Sequence, residues 1–218
     1  MGAFSGNLTY KQYYVKDALE EGWGDTYEQA IKRHVFRPLT PESDLERTIG
    51  WCSPHFPLDL ELHSGVYLYN EYITLAMRVD TWTVPASTLK IYTEAETRRV
   101  MQEQNRATVS RYERVEIRDR VKMDLRRKTL PAIKTVDMVW NWQTGRVRFF
   151  SSSQRLNLEF VDLFEDTFHR SLLPDGAYGA CQMQDLGLSE EESKRLEYLD
   201  PVPFVDASTA AQAMGELK

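Results

Sequence analysis

From Leu156 to Phe168 an apolar residue returns every fourth position (Leu156, Phe160, Phe164, Phe168). That is the spacing of one helix face. It predicts an amphipathic helix, capped by the serines at 151–153, whose stripe packs into a core. Asn7–Val15 instead alternates and is rich in β-formers, so it reads as a strand ended by Gly22-Trp23-Gly24. Asp25-Thr26-Tyr27-Glu28 has the pattern of a capping box opening a short helix to about His34, with Tyr27, Ile31 and Val35 along one face. Phe36–Ser43, with Pro38 and Pro41, reads as a loop or edge segment, and Ile49 through Pro57 as turn-rich. Leu58–His63 and Tyr69–Val79 are strand-like, and Ala132–Trp142 with Arg146–Phe150 forms a hairpin around Gln143-Thr144-Gly145.

Two stretches between the strands carry few apolar positions. After Val84-Pro85 the composition from Ala86 to about Arg106 favours helix, and Arg111–Thr129 predicts a second long polar helix ending before Pro131. Asn105–Ser110 breaks the two apart. Ser189-Glu190-Glu191-Glu192 is another capping-box pattern, for a helix to about Leu199, and the small, polar tail from Ser208 is expected to fray. The pattern predicts an α+β fold: antiparallel β-sheets with packed helices and a projecting pair of charged helices. The expected division is an α+β core over 1–85 and 130–172, a charged helical projection over 86–129, and an acidic extension over 173–218.

Composition narrows the class. The 218 residues are 42% hydrophobic and 28% charged, with a mean hydropathy of −0.51, as expected for a soluble protein with a real core. No window approaches a membrane span, and the N-terminus lacks the basic-then-apolar pattern of a signal peptide. Two cysteines, Cys52 and Cys181, give no disulfide framework and fit a reducing, cytoplasmic setting.

The net charge of −6 conceals a strong asymmetry. Lys90 to Lys134 holds thirteen basic and seven acidic residues, whereas Asn157 to Lys218 holds four basic and thirteen acidic. A polyanion partner would therefore meet a local basic surface. On a helical wheel Arg114, Arg118, Lys122 and Arg126 form one ridge, with Arg111 beside it and an Ile117, Val121, Leu125 seam alongside. Such a ridge extends over about 18 Å and suits a line of phosphates. Arg98, Arg99 and Arg106 on the preceding helix, with Arg127 and Lys128 at the end, enlarge the patch. Local ion pairs such as Glu116–Arg120 are the bland alternative. Tyr92 and Tyr112 are expected to anchor the helices by burial rather than to stack on bases. No sequence-reading motif is present, so contacts to DNA are expected to be mostly to phosphates.

The candidate catalytic groups are sparse. Asp59, Glu61 and His63 share one face of the expected strand, and Asp59 and Glu61 with Asp80 would be the carboxylates of a metal-dependent nuclease, but a half-exposed strand accounts for them. Cys52-Ser53-Pro54-His55, with His63 and Cys181 as completing ligands, has only loosely metal-like spacing, and Cys52 reads as a small buried residue. No phosphate-binding glycine loop occurs. Neither a catalytic residue nor a cofactor is predicted.

The order of segments carries a resemblance. Phe4, Asn7-Leu8 and Tyr10 open a strand; Phe36-Arg37-Pro38-Leu39 leads to Gly50-Trp51-x-x-Pro54. Next come Leu75-Ala76-Met77-Arg78-Val79-Asp80, Val84-Pro85 with Leu89-Lys90, Leu130-Pro131-Ala132 closing the second charged helix, and Asp137 to Gly145 before Ser151–Ser153. Over roughly residues 4–170 this resembles the recombination-associated RdgC family. The resemblance implies a non-catalytic, sequence-nonspecific DNA-binding protein that forms a ring-shaped dimer around double-stranded DNA and restrains a RecA-type recombinase, at the nucleoid in the cytoplasm. It places the charged projection at about Ala86–Thr129. Longer family members continue with a substantial C-terminal region, whereas about fifty acidic-rich residues follow Arg170 here, and Cys52-Ser53-Pro54 stands where consecutive prolines are more typical. The competing expectations are a protein–protein module whose charged helices dock an acidic partner, and the nuclease just described.

Overall fold

The computed structural model describes residues 2–4, 8–15, 19, 22–43, 45–176 and 190–198. Met1–Asp175 and Gly176–Lys218 are two compact units. In the first, β1 (Lys11–Val15), β2 (Arg47–Cys52), β3 (Leu68–Tyr69), β4 (Tyr72–Thr81), β5 (Ala132–Asn141), β6 (Arg146–Phe149) and β7 (Leu172–Pro174) make one sheet. Its order is β2-β4-β5-β6-β1-β7, with β3 paired to β4. All of these pairings are antiparallel. The helices of this unit are α1 (Trp23–Arg33), α2 (Ser64–Tyr67), α3 (Ala86–Glu103), α4 (Arg111–Arg127) and α5 (Gln154–Phe168). This is the α+β arrangement expected, in one sheet.

The core follows from the two periodicities. Leu156, Phe160, Phe164 and Phe168 of α5 are all buried, against Trp51, Met138, Trp140 and Phe149 of the sheet. Phe149 and Phe160 stack with ring centroids 4.1 Å apart. Polar ties fix the helix on the sheet: Trp51 Nε1 donates to Thr167 Oγ1 at 2.8 Å, and Arg47 makes a two-pronged contact to Glu159 at 2.6 and 3.0 Å. Ser153 occupies the N-cap position of α5, but its hydroxyl makes no capping bond. Asn157 Nδ2 instead donates to the carbonyls of Ser151 and Ser153.

Several expectations are corrected. The first strand begins at Lys11. Helix α1 starts at Trp23 behind Gly22, whose φ of 80° sets the entry, so Asp25 sits inside the first turn and no Asp25 capping box forms. The segment read as turn-rich from Ile49 includes a strand to Cys52. Gly50 is not a turn residue there: a Cβ on it would lie 2.5 Å from Phe36 Cα. The missing side chain lets Val35-Phe36 run beside Trp51, with Phe36 N donating to Trp51 O at 2.8 Å and Trp51 N to His34 O at 2.9 Å. Leu58–His63 is irregular rather than a strand; its Leu62 is buried in the main core, and the Pro57 carbonyl just before it accepts from Arg78.

In the second unit α6 spans Glu190–Glu197, with Lys194 and Arg195 in its last turn. The expected Ser189 cap and the tail from Ser208 lie outside the described residues.

Candidate nucleic-acid interface

Helices α3 and α4 are inserted between β4 and β5 and pack against each other over their own apolar cluster of Leu89, Ile117 and Val121. The turn between them is fixed locally. Ser110 Oγ accepts from Glu113 N, and Glu113 Oε2 accepts from Ser110 N at 2.9 Å, a reciprocal cap. Arg106 donates to the same carboxylate at 2.8 Å. Together Arg106 and the Ser110 cap pull the Glu113 carboxyl down to about 2.

The ten predicted cations divide into two groups. Five are engaged by carboxylates. Arg99 bridges Glu96 and Glu103, Arg106 holds Glu113, and Arg127 reaches Glu42 at 3.2 Å and Asp124 at 3.8 Å. Lys122 and Arg126 both bind Glu46. Arg126 is only 4% exposed and also donates to the Ser43 carbonyl at 3.0 Å, so the lower half of the expected ridge fastens α4 to the segment preceding β2. The other five, Arg98, Arg111, Arg114, Arg118 and Lys128, are exposed and make no ion pair among the described residues.

Three of those five converge. Arg98, Arg114 and Arg118 line an open groove of about 550 Å³ along α3 and α4. Lys90 joins them, one helical face below Arg98 through Glu94, which is the single carboxylate among the lining residues. The floor is Leu89, Thr97 and Met101. Arg114 and Arg118 are separated by roughly 6 Å along the axis, a spacing that phosphates on one strand can follow. Lys90 lies outside the basic patch expected from the sequence, although its i, i+8 relation to Arg98 is legible there.

Two further expectations fail here. Tyr92 and Tyr112 are exposed, Tyr112 at 85%, because Leu89, Ile117 and Val121 already fill the seam. The Glu116–Arg120 pair does not form; Arg120 acts on Glu96 across the helix pair instead.

The candidate catalytic groups do not converge. Asp80 is buried and held two-pronged by Arg78 at 2.7 and 2.8 Å, with the guanidinium 4.1 Å from the Phe36 ring centroid. Asp59 accepts from Glu61 N at 3.0 Å, closing a turn. His55 pairs with the Tyr69 hydroxyl at 3.0 Å. Burial pushes the Cys52 thiol up to about 12, unsuited to a nucleophile or a ligand. Among the described residues no group of three or more His, Cys, Asp or Glu could share a metal ion. Cys181 lies outside them. No described helix is long and apolar enough to cross a membrane.

The family profile described as "Putative exonuclease, RdgC" matches residues 10–174. No curated protein matches the chain. The matched span contains the whole sheet, α1 to α5 and the basic groove, and it covers well over half of the 218 residues. The chain therefore belongs to the RdgC family and is, at that level, a recombination-associated DNA-binding protein.

Proposed function

We propose that this protein binds double-stranded DNA without sequence preference through the α3–α4 groove, as a homodimeric clamp or ring at the nucleoid that limits access of a RecA-type recombinase. The single observation that carries the reading is the gathering of Lys90, Arg98, Arg114 and Arg118 around one groove with no ion pair of their own among the described residues. Exposed, unpaired guanidinium groups keep their full capacity to replace counterions on a phosphate chain. Arg111 flanks the groove on the same side of α4, and Lys128 lies at the helix end. Binding is proposed to proceed without cleavage: the internally engaged Asp80 and the dispersed Asp59 and Glu61 support this.

The deciding experiment is anisotropy titration of a random-sequence duplex at several salt concentrations. Tight binding with a steep salt dependence, lost in Arg114→Glu/Arg118→Glu, is the expected result. Unchanged affinity in that variant overturns the site. The apolar floor of Leu89 and Met101 favours a second reading, docking of an acidic amphipathic helix. That reading predicts no duplex shift at physiological salt and a stable complex with a protein partner.

A further inference from the structure

The sheet has a second basic surface, remote in sequence from the α3–α4 pair and built on a different principle. Along β6, Val147 and Phe149 point into the core, so Arg146 and Arg148 stand on the opposite face, both exposed. Register aligns Arg146 with Asn141 on one side and Tyr14 on the other, and Asn141 with Tyr72. The result is a cross-strand row, Tyr72-Asn141-Arg146-Tyr14, two half-buried aromatic rings at its ends. Three strand spacings, about 14 Å, separate the backbones that carry those rings. The next row places Arg148 beside Gln12, whose Oε1 accepts from Arg148 Nε at 3.3 Å while its Nε2 donates to the Tyr14 hydroxyl at 3.2 Å and to Asp175 at 3.0 Å. Arg148 also lies 5.5 Å from the Tyr10 ring centroid.

Neither arginine makes an ion pair among the described residues. The carboxylates of this face are otherwise engaged: Asp175 with Gln12, and Asp137 with the Ala3 amide at 2.7 Å. Asn141 Oδ1 accepts from the Gln143 and Thr144 amides, which closes the β5–β6 turn and leaves Asn141 Nδ2 without a partner among the described residues. Tyr72, Asn141, Arg146 and Arg148 surround a shallow depression of about 220 Å³.

We infer that this sheet face is a separate binding site for single-stranded DNA. Flat aromatic rings beside cations suit splayed bases, because every base has a face to stack and the backbone follows the charge. A duplex keeps its bases stacked on one another and cannot use the tyrosines. The site therefore discriminates by strandedness, whereas the α3–α4 groove has no ordered aromatic–cation row and reads phosphate alone. Arg146 and Arg148 take phosphates, Tyr72 and Tyr14 stack on bases, Asn141 Nδ2 supplies a donor to a base edge, and Gln12 positions Arg148.

The test uses the full chain, a fluorescent oligo-dT strand and a random duplex, each titrated at matched salt. Arg146→Glu/Arg148→Glu is expected to weaken oligo-dT binding at least about tenfold and to flatten its salt dependence. Tyr72→Leu is expected to weaken it about tenfold with the salt dependence unchanged, the signature of lost stacking. Arg146→Gln/Arg148→Gln repeats the first arm with a milder change should charge reversal perturb the fold. Duplex binding stays within about twofold in all three, whereas Arg114→Glu/Arg118→Glu shows the reverse pattern. Oligo-dT affinity unchanged in the folded arginine variants, or lost only in Arg114→Glu/Arg118→Glu, overturns the inference. So does the absence of oligo-dT binding by the unaltered protein, and neither result touches the duplex reading.

Discussion

Arg126 and Glu46 are eighty positions apart in the chain, and the guanidinium Nη2 donates to Oε1 at 3.2 Å. Lys122 donates to the same oxygen, so one exposed carboxylate collects two members of the ridge that looked most suited to DNA. Glu46 is held below its ordinary value, first by the Lys122 hydrogen bond and charge and then by Arg126. The consequence is a division along α4 between cations that anchor the helix and cations that stay exposed and unpaired among the described residues.

That division is separable by mutation. Arg126→Ala removes a buried side chain and its bond to Ser43 O, and is expected to cost about 2 kcal/mol of stability. For a chain of this size that lowers the melting temperature by roughly 4–8 °C. Duplex affinity per folded molecule stays near that of the unaltered protein. Arg114→Glu and Arg118→Glu do the opposite, with stability within about 0.5 kcal/mol and a loss of duplex binding. Thermal melting and duplex titration of the same three proteins check the prediction.

Gly50→Ala tests the close approach of two chains. Its Cβ would meet Phe36 Cα at 2.5 Å and Phe36 N at 2.6 Å, both backbone atoms, so one segment has to move. The expected cost is about 1–3 kcal/mol, read by urea denaturation. A variant as stable as the parent would show that the Val35–Trp51 bridge is not tightly held.

The buried Arg78–Asp80 pair is expected to be structural. Asp80→Asn strands a guanidinium that is otherwise almost fully enclosed, with an expected loss of about 3–5 kcal/mol. If Asp80 served a nuclease instead, DNA would be degraded in Mg²⁺ or Mn²⁺ and protected by a chelator. The expected outcome is intact DNA after long incubation with either ion.

Two titrations have opposite signs. The Cys52 thiol is raised from about 9 to about 12, so the folded state holds its proton more tightly than the unfolded chain does. That contribution is complete below about pH 9 and is lost as pH rises toward 12. In a Cys181→Ser background, Cys52 is therefore expected to resist thiol reagents until the protein unfolds. Glu113 is lowered to about 2, so its contribution is present above its ordinary value of about 4.5 and disappears as pH falls toward 2. Amide exchange at the start of α4, around Ser110 to Glu113, is expected to quicken over that acidic range.

Wherever a segment's environment is set by its own periodicity, it was legible in the sequence. The four-residue stripe of α5 is buried throughout, the Gln143–Gly145 turn joins β5 to β6, and Ile117 and Val121 form the seam of α4 as the wheel required. Positions decided by distant partners were not. A glycine that signals a turn by local rules serves at position 50 to admit Phe36. The alternation of Leu58–His63 mimics a strand because Leu62 must be buried, yet no neighbouring strand pairs with it. The loss of Lys122 and Arg126 from the candidate interface depends on Glu46, which no helical wheel contains. The β6 arginines are not marked by their own strand for the same reason: the tyrosines of their row, Tyr14 and Tyr72, come from strands that only the sheet brings together.

Strands β4 and β5 are paired over ten successive positions, closing at Thr81 and Ala132, and everything between those two residues leaves and re-enters the sheet at one point. To the sheet, the helical pair is a very long hairpin loop. Its length, tip and charge can change without shifting the register of any strand, since the register is fixed by the ten-residue ladder below it. The fold thus keeps a stable platform for the sheet and confines changes in the helical pair to an arm outside the ladder.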